Sequence, residues 1–199
     1  AVGGGAGVDG GDHLGGVGHV GVVVVGNGTM GEDHHAPTVL ADVEGGAAVA
    51  IDVNTGEILA MASWPTYSLE TFQKDYAVNA TDPLSPFLNR TIQSVYSPGS
   101  TFKMCTSLAA LEEGIIKPDT TIYDEGVYKR YADVGYSPRC WIYRQYGRNH
   151  GNINVSQALK YSCNYFFYEM GYQLQPERLN KYATQLGLGQ KTGVELSGE

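Results

Sequence analysis

The stretch Ser97-Pro98-Gly99-Ser100-Thr101-Phe102-Lys103 constrains this chain more than any other. Ser97 is a helix-capping residue type and Pro98 suits a first helical position. Beyond them apolar residues recur at Phe102, Cys105, Leu108, Ala109 and Leu111, up to a stop at Gly114 with Pro118 just after it. The spacing predicts a buried helix with Ser100 and Lys103 in its first turns, neighbours on one face. A serine hydroxyl is a weak nucleophile until a base takes its proton. A lysine is that base only when neutral, which burial and a positive environment favour. A helix N-terminus supplies a positive end, and its free N–H groups can hold a developing oxyanion. An ordinary capped helix with a surface lysine spells the same letters, so context has to decide.

The chain is long enough for one sizeable domain or part of a larger one, and its hydrophobic fraction of 42% is that of a globular protein. The net charge of -8 argues against a nucleic-acid partner. That charge is uneven: six of the 21 acidic residues and none of the 13 basic ones fall in residues 1–44. The same stretch holds thirteen of the 27 glycines and no aromatic residue, and is expected to be disordered or foreign to the domain behind it. Within it, Val22–Val25 reads as a short strand without a core around it. Gly26–Gly31 lacks the Gly-Lys-Ser/Thr ending of a phosphate loop, and His34-His35 reads as a solvated loop. The chain shows no run of 18 apolar residues and no basic leader at Ala1, so neither a membrane span nor a signal peptide is read from it.

From Gly45 the pattern changes. Residues 47–53 and 57–63 are two apolar arms around Asn54-Thr55-Gly56, a β-hairpin. Residues 68–96 read as irregular, with Pro83 and Pro86 as breakers. After Gly114 comes a loop of about forty residues rich in tyrosine and carrying Trp141. It reads as a groove-lining insertion. Asn154 to Gln157 forms a capping box that opens a helix. Ser162-Cys163-Asn164 then precedes a strongly apolar run, and residues 176–186 form a further helix closed by Gly187 and Gly189. Of the three cysteines, Cys105 reads as core. Cys140, His150 and Cys163 could share a metal with an acidic side chain, but spacings of 10 and 13 residues match no recognised ligand pattern. Neither a metal nor another cofactor is therefore expected.

Ser-x-x-Lys on a helix start and Ser-x-Asn 62 residues later form the combination found in penicillin-binding proteins and class A β-lactamases. Gly46–Ser63, Tyr96–Gly114, His150-Gly151 with Asn154-Val155, and Ser162–Gly171 resemble class B penicillin-binding proteins, the elongation-type group above all. The resemblance covers roughly residues 45–199. It implies an α/β (α+β) serine transpeptidase fold, β-lactamase-like, with an antiparallel sheet flanked by helices. It also implies that Ser100 attacks the penultimate D-alanine of a peptidoglycan stem peptide and that an amine of a neighbouring stem resolves the acyl-enzyme. Lys103 would be the base, Ser162 a proton relay and Asn164 a holder of the lysine and the substrate amide. The Cys163 side chain should point away from these groups. The implied partners are stem peptides, β-lactams and a membrane glycan polymerase, on the outer face of the cell membrane. The anchor is not seen in this chain.

Two departures qualify the resemblance. Lys191-Thr192-Gly193 spells the start of the family's third motif, but it is followed by Val194 and lies only 27 residues after Asn164. It is rejected. The chain is thus expected to be the front part of a transpeptidase domain, inactive as it stands. The alternatives are a class D β-lactamase, which also uses Ser-Thr-Phe-Lys, and a β-lactam sensor domain.

Overall fold

The computed structural model describes residues 20–27 and 45–196. His34-His35 and most of Gly26–Gly31 lie outside the described residues. The described residues fall into two compact units whose sequences divide between Gly99 and Ser100, with residues from Val194 onward counted in the first.

The first unit contains an antiparallel sheet in chain order, β1 (Val20–Asn27), β2 (Gly45–Asp52) and β3 (Ile58–Trp64). Val22–Val25 lies in β1, which pairs with β2 from Val20 opposite Asp52 to Asn27 opposite Gly45. A run of β-branched residues suits such a paired position. The β2–β3 hairpin falls where the spacing predicts it, with an irregularity at Ala50/Ile51. Its turn is closed by Asp52, whose carbonyl accepts from the Gly56 N–H at 2.8 Å and whose carboxylate accepts from the N–H groups of Asn54 and Thr55. Gly56 takes φ +77°, a conformation that glycine adopts without strain.

Residues 68–96 are not irregular throughout. They contain α1 (Phe72–Thr81) and the single turn α2 (Arg90–Gln93). Helix α1 buries no residue and has no side-chain cap, so the two strongest sequence signals for a helix are both missing. It is held by Phe72 and Tyr76, which pack with Tyr67 and Phe87 at ring separations of 5.0 to 5.6 Å. Below it, Ser63 Oγ donates to Leu88 O and accepts from the Arg90 N–H, both at 3.1 Å.

The second unit holds the apolar core. A 3₁₀ turn, Gly99–Phe102, leads into α3 (Lys103–Glu112). The helix therefore starts later than the sequence predicts: Gly99 sits at φ +56°, so neither Ser97 nor Pro98 belongs to the helical run. Glu113 and then Gly114, at φ +65°, end it as expected. Cys105, Ala109 and Ala110 of α3 pack in one cluster with Phe166, Met170 and Leu174 of α6 (Asn164–Gln185). The α3 side of that contact is built from small residues, which lets the aromatic rings of α6 come close. Helix α6 breaks at Gln175, φ +61°, just before Pro176, so its second half is the separate helix read from the sequence. Glu113 accepts from Lys181 Nζ at 2.7 Å and Tyr182 OH at 2.9 Å, which fastens that half to the end of α3.

The tyrosine-rich stretch is structured rather than a loop. Strands β4 (Ile122–Asp124) and β5 (Gly151–Ile153) pair antiparallel and close it, and α4 (Trp141–Tyr146) lies between them. Tyr128 OH and Arg130 both donate to the Glu169 carboxylate, at 2.8 to 3.0 Å, which ties this segment to α6. Helix α5 (Val155–Lys160) opens on the predicted capping box between Asn154 and Gln157.

Candidate active site

Ser100 lies in the 3₁₀ turn and Lys103 is the first residue of α3. The two side chains are linked through Ser162, whose hydroxyl lies 3.0 Å from both Lys103 Nζ and Ser100 Oγ. Ser162 and Asn164 arrive from 59 and 61 residues away, at the junction of α5 and α6. Ser162 takes φ +50°, uncommon for a residue with a side chain. That conformation turns both its carbonyl and its hydroxyl toward the lysine.

The result is a short hydrogen-bonded chain. Lys103 Nζ donates to Ser162 O at 2.8 Å, Ser162 Oγ at 3.0 Å and Asn164 Oδ1 at 2.6 Å. Ser162 Oγ in turn donates to Ser100 Oγ at 3.0 Å. The Phe167 ring lies 5.5 Å from the ammonium. Burial draws the Lys103 pKa below its ordinary value, and the negative character of Cys163 and Cys140 opposes that. With Lys103 charged, the hydroxyl protons point toward Ser100. With Lys103 neutral, the same three groups can pass the Ser100 proton the other way, because each hydroxyl both donates and accepts. The four residues predicted from the sequence are thus brought together.

Behind them lies a second cluster. Asp124 ends β4, Cys140 precedes α4, His150 precedes β5, and Cys163 is the residue before α6. One ligand atom from each lies within 4.8 Å of the others. His150 Nδ1 is 2.7 Å from Asp124 Oδ2, and the two sulfurs are 3.8 Å apart. The Cys163 thiol donates to Asp124 Oδ2 at 3.5 Å, so its side chain points away from Ser162 and Asn164, as expected. Although burial opposes it, hydrogen bonds from His150, Gly126 and Cys163 hold the Asp124 carboxyl below its ordinary pKa. The Cys163 thiol, and after it the N–H groups of Tyr165 and Asn164, draw Cys140 down to about 6, while Cys163 is pushed up by Cys140 and by burial.

This donor set suits a tetrahedral zinc ion. Two Zn–S bonds of about 2.3 Å at a tetrahedral angle place the sulfurs about 3.8 Å apart, as they are here, whereas His150 Nδ1 and Asp124 Oδ2, hydrogen-bonded at 2.7 Å, would part slightly to admit the ion. Cys140, His150 and Cys163, which the sequence offers as possible ligands without a recognised spacing, are brought together with Asp124 although they sit beside separate elements. Asp124, the ligand that sequence reasoning does not identify, is brought to His150 only by the β4–β5 pairing, which sets Asp124 opposite Gly151. The nearest sequence signal is an acidic residue closing a short β-branched and aromatic run.

The family profile described as "Penicillin binding protein transpeptidase domain" matches residues 46–199. The peptidoglycan D,D-transpeptidase MrdA of Escherichia coli K12 is 35% identical over 164 residues, covering 77% of this chain and 24% of the relative. Pseudomonas aeruginosa PBP2, solved in complex with WCK 5153, superposes with a TM-score of 0.69 at 31% identity, over 80% of this chain and 36% of that one. The complex of PBP2 and MreC from Helicobacter pylori superposes with a TM-score of 0.65 at 31% identity, over 75% of this chain and 28% of that one. The chain spans about a quarter of the length of the curated relative. Its mixed helices and antiparallel strands are those of the penicillin-binding transpeptidase domain, a serine acyltransferase fold. On the match over residues 46–199, the chain belongs to the penicillin-binding protein transpeptidase family.

Proposed function

We propose that the polypeptide carrying these residues is a peptidoglycan D,D-transpeptidase that works through an acyl-enzyme on Ser100. The observation that carries this reading is the connected set Ser100 Oγ, Ser162 Oγ, Lys103 Nζ and Asn164 Oδ1, every link between 2.6 and 3.0 Å. In the forward step, Ser100 Oγ bonds to the carbonyl carbon of the penultimate D-alanine. Its proton passes to Lys103, through Ser162 in the arrangement seen here. The peptide bond breaks, and the departing D-alanine nitrogen takes a proton back along the same path. The N–H of Ser100 contributes to the oxyanion hole. The amine of a second stem then attacks the ester, forms the cross-link and frees Ser100. Asn164 holds Lys103 and the substrate amide, its side chain being both donor and acceptor.

β-Lactams acylate the same hydroxyl. The family likeness supports a place in cell-wall and cell-shape maintenance, with the domain held at the outer face of the cell membrane beside a glycan polymerase. The MreC complex of the Helicobacter pylori relative supports a scaffold partner as well. Among the described residues no helix is long and apolar enough to cross a membrane. The test is a fluorescent penicillin applied to the full-length polypeptide. Covalent labelling is expected, stable for many minutes, and lost in Ser100→Ala. Labelling that persists in that variant would overturn the reading. Rapid turnover of the antibiotic would favour a lactamase instead.

A further inference from the structure

Cys105 sits in the apolar packing of α3, whereas Cys140 and Cys163 are neighbours, both fully enclosed and 3.8 Å apart. A disulfide brings two sulfurs to about 2.05 Å, so less than two ångströms of approach separates this pair from a bond. We propose that Cys140 and Cys163 form a redox pair, which a small peroxide converts to a disulfide beneath Ser162 and Asn164 whenever no metal is held between them. This does not rest on the transpeptidase reading.

The two sulfurs are not equivalent. The Cys163 thiol donates to the Asp124 carboxylate at 3.5 Å, whereas the Cys140 sulfur faces His150 Nδ1 at 3.7 Å, which leaves Cys140 as the attacking sulfur. Both thiols are enclosed, so the oxidant has to be small; the face of another folded protein cannot reach them. The Cys140 sulfur bonds to one peroxide oxygen as the O–O bond breaks, leaving a sulfenic acid and, with the thiol proton, one water. The Cys163 sulfur then attacks the sulfenyl sulfur, the S–O bond breaks, and a second water leaves. Two thiols lose two electrons and two protons, and the peroxide takes both. A zinc ion bound by the two sulfurs would hold them about 3.8 Å apart and block this step. Cys163 stands between Ser162 and Asn164, whose oxygens hold Lys103, so the contraction acts on the floor of the site.

Peptide mapping tests this directly. The full-length polypeptide, reduced and chelator-treated, is exposed to hydrogen peroxide and then unfolded in urea, remaining thiols are capped with a maleimide, and the digest is analysed without reduction. A Cys140–Cys163 cross-linked peptide is expected as the main product, with Cys105 capped and dithiothreitol reversing the bond. Zinc added before the peroxide is expected to lower the cross-link yield about tenfold. Thiols left unoxidised, or sulfenic or sulfinic acid without a cross-link, would overturn the proposal. So would a mixture of pairings that includes Cys105 and equals that of the urea-unfolded chain, or a yield that zinc leaves unchanged. The assay reads thiols alone, so its outcome is separate from whether penicillin labels Ser100.

Discussion

Ser162 shows how one residue can be chosen against its own backbone preference. A side chain at φ +50° costs about 1–3 kcal/mol and persists where the surrounding structure demands it. Here it faces two oxygens toward Lys103 and leaves the hydroxyl on Ser100. Replacement by glycine removes the strain together with the relay, whereas alanine removes the relay only. Ser162→Gly is therefore expected to melt no lower than Ser162→Ala, while penicillin acylation falls by about 10²–10⁴ in both. A full acylation rate in either variant would remove Ser162 from the proton path. Lys103 adds a pH dependence to the same step. Its pKa is drawn below 10.5, chiefly by burial, and only the neutral amine can accept the Ser100 proton. Acylation should thus rise with pH and level off at the folded-state pKa, below 10.5. A limb that keeps rising past 10.5 would mean the lysine is solvated, or is not the base.

At the scale of elements, the sequence was informative wherever the signal was local. The hairpin at 47–63 and the capping box at Asn154 each rest on residues within a few positions of one another, and both form as read. The serine helix is legible in its stop at Gly114, but α3 starts at Lys103 rather than at Pro98, because a positive φ at Gly99 leaves no trace in residue type beyond the glycine itself. Helix α1 escaped because it is stabilised by aromatic contacts with Tyr67 and Phe87, outside its own span. The i, i+4 pair Phe72 and Tyr76 was its one local clue. In the tyrosine-rich segment the decisive residue is Gly126, whose N–H donates to Asp124 Oδ1 at 2.7 Å and whose carbonyl accepts from the Cys140 N–H at 2.8 Å. A Cβ there would sit 2.1 Å from the Tyr143 ring, on a backbone already at φ +83°. Gly126→Ala should then cost about 2–4 kcal/mol in urea unfolding. Gly56→Ala, at a similar φ but with open space around it, should cost about 1–2 kcal/mol. Equal losses in the two variants would mean that Tyr143 yields freely and the close approach has no structural weight.

Across the whole molecule, the two clusters in the second unit depend on the same long-range meeting of segments. Cys163 belongs to one cluster and its neighbours Ser162 and Asn164 to the other, so whatever fixes Asp124, Cys140 and His150 also fixes the floor beneath Lys103. Those ligands come from the end of β4 and from positions beside α4, β5 and α6, none adjacent in sequence. Chain entropy opposes holding so many separated segments together, and a metal that binds only the folded arrangement offsets that cost by mass action. At free zinc 100-fold above its dissociation constant the offset is about 2.7 kcal/mol, which for a unit of this size raises Tm on the order of 10 °C. The purified chain should accordingly carry about one zinc per molecule by elemental analysis, through a tetrahedral set of two thiolates, an imidazole and a carboxylate. Chelation under reducing conditions should lower Tm by that amount, and zinc should restore it. His150→Ala should lose both the metal and the response. A Tm indifferent to chelator and zinc, with all three cysteines reduced, would mean that packing and hydrogen bonds alone hold the site's floor.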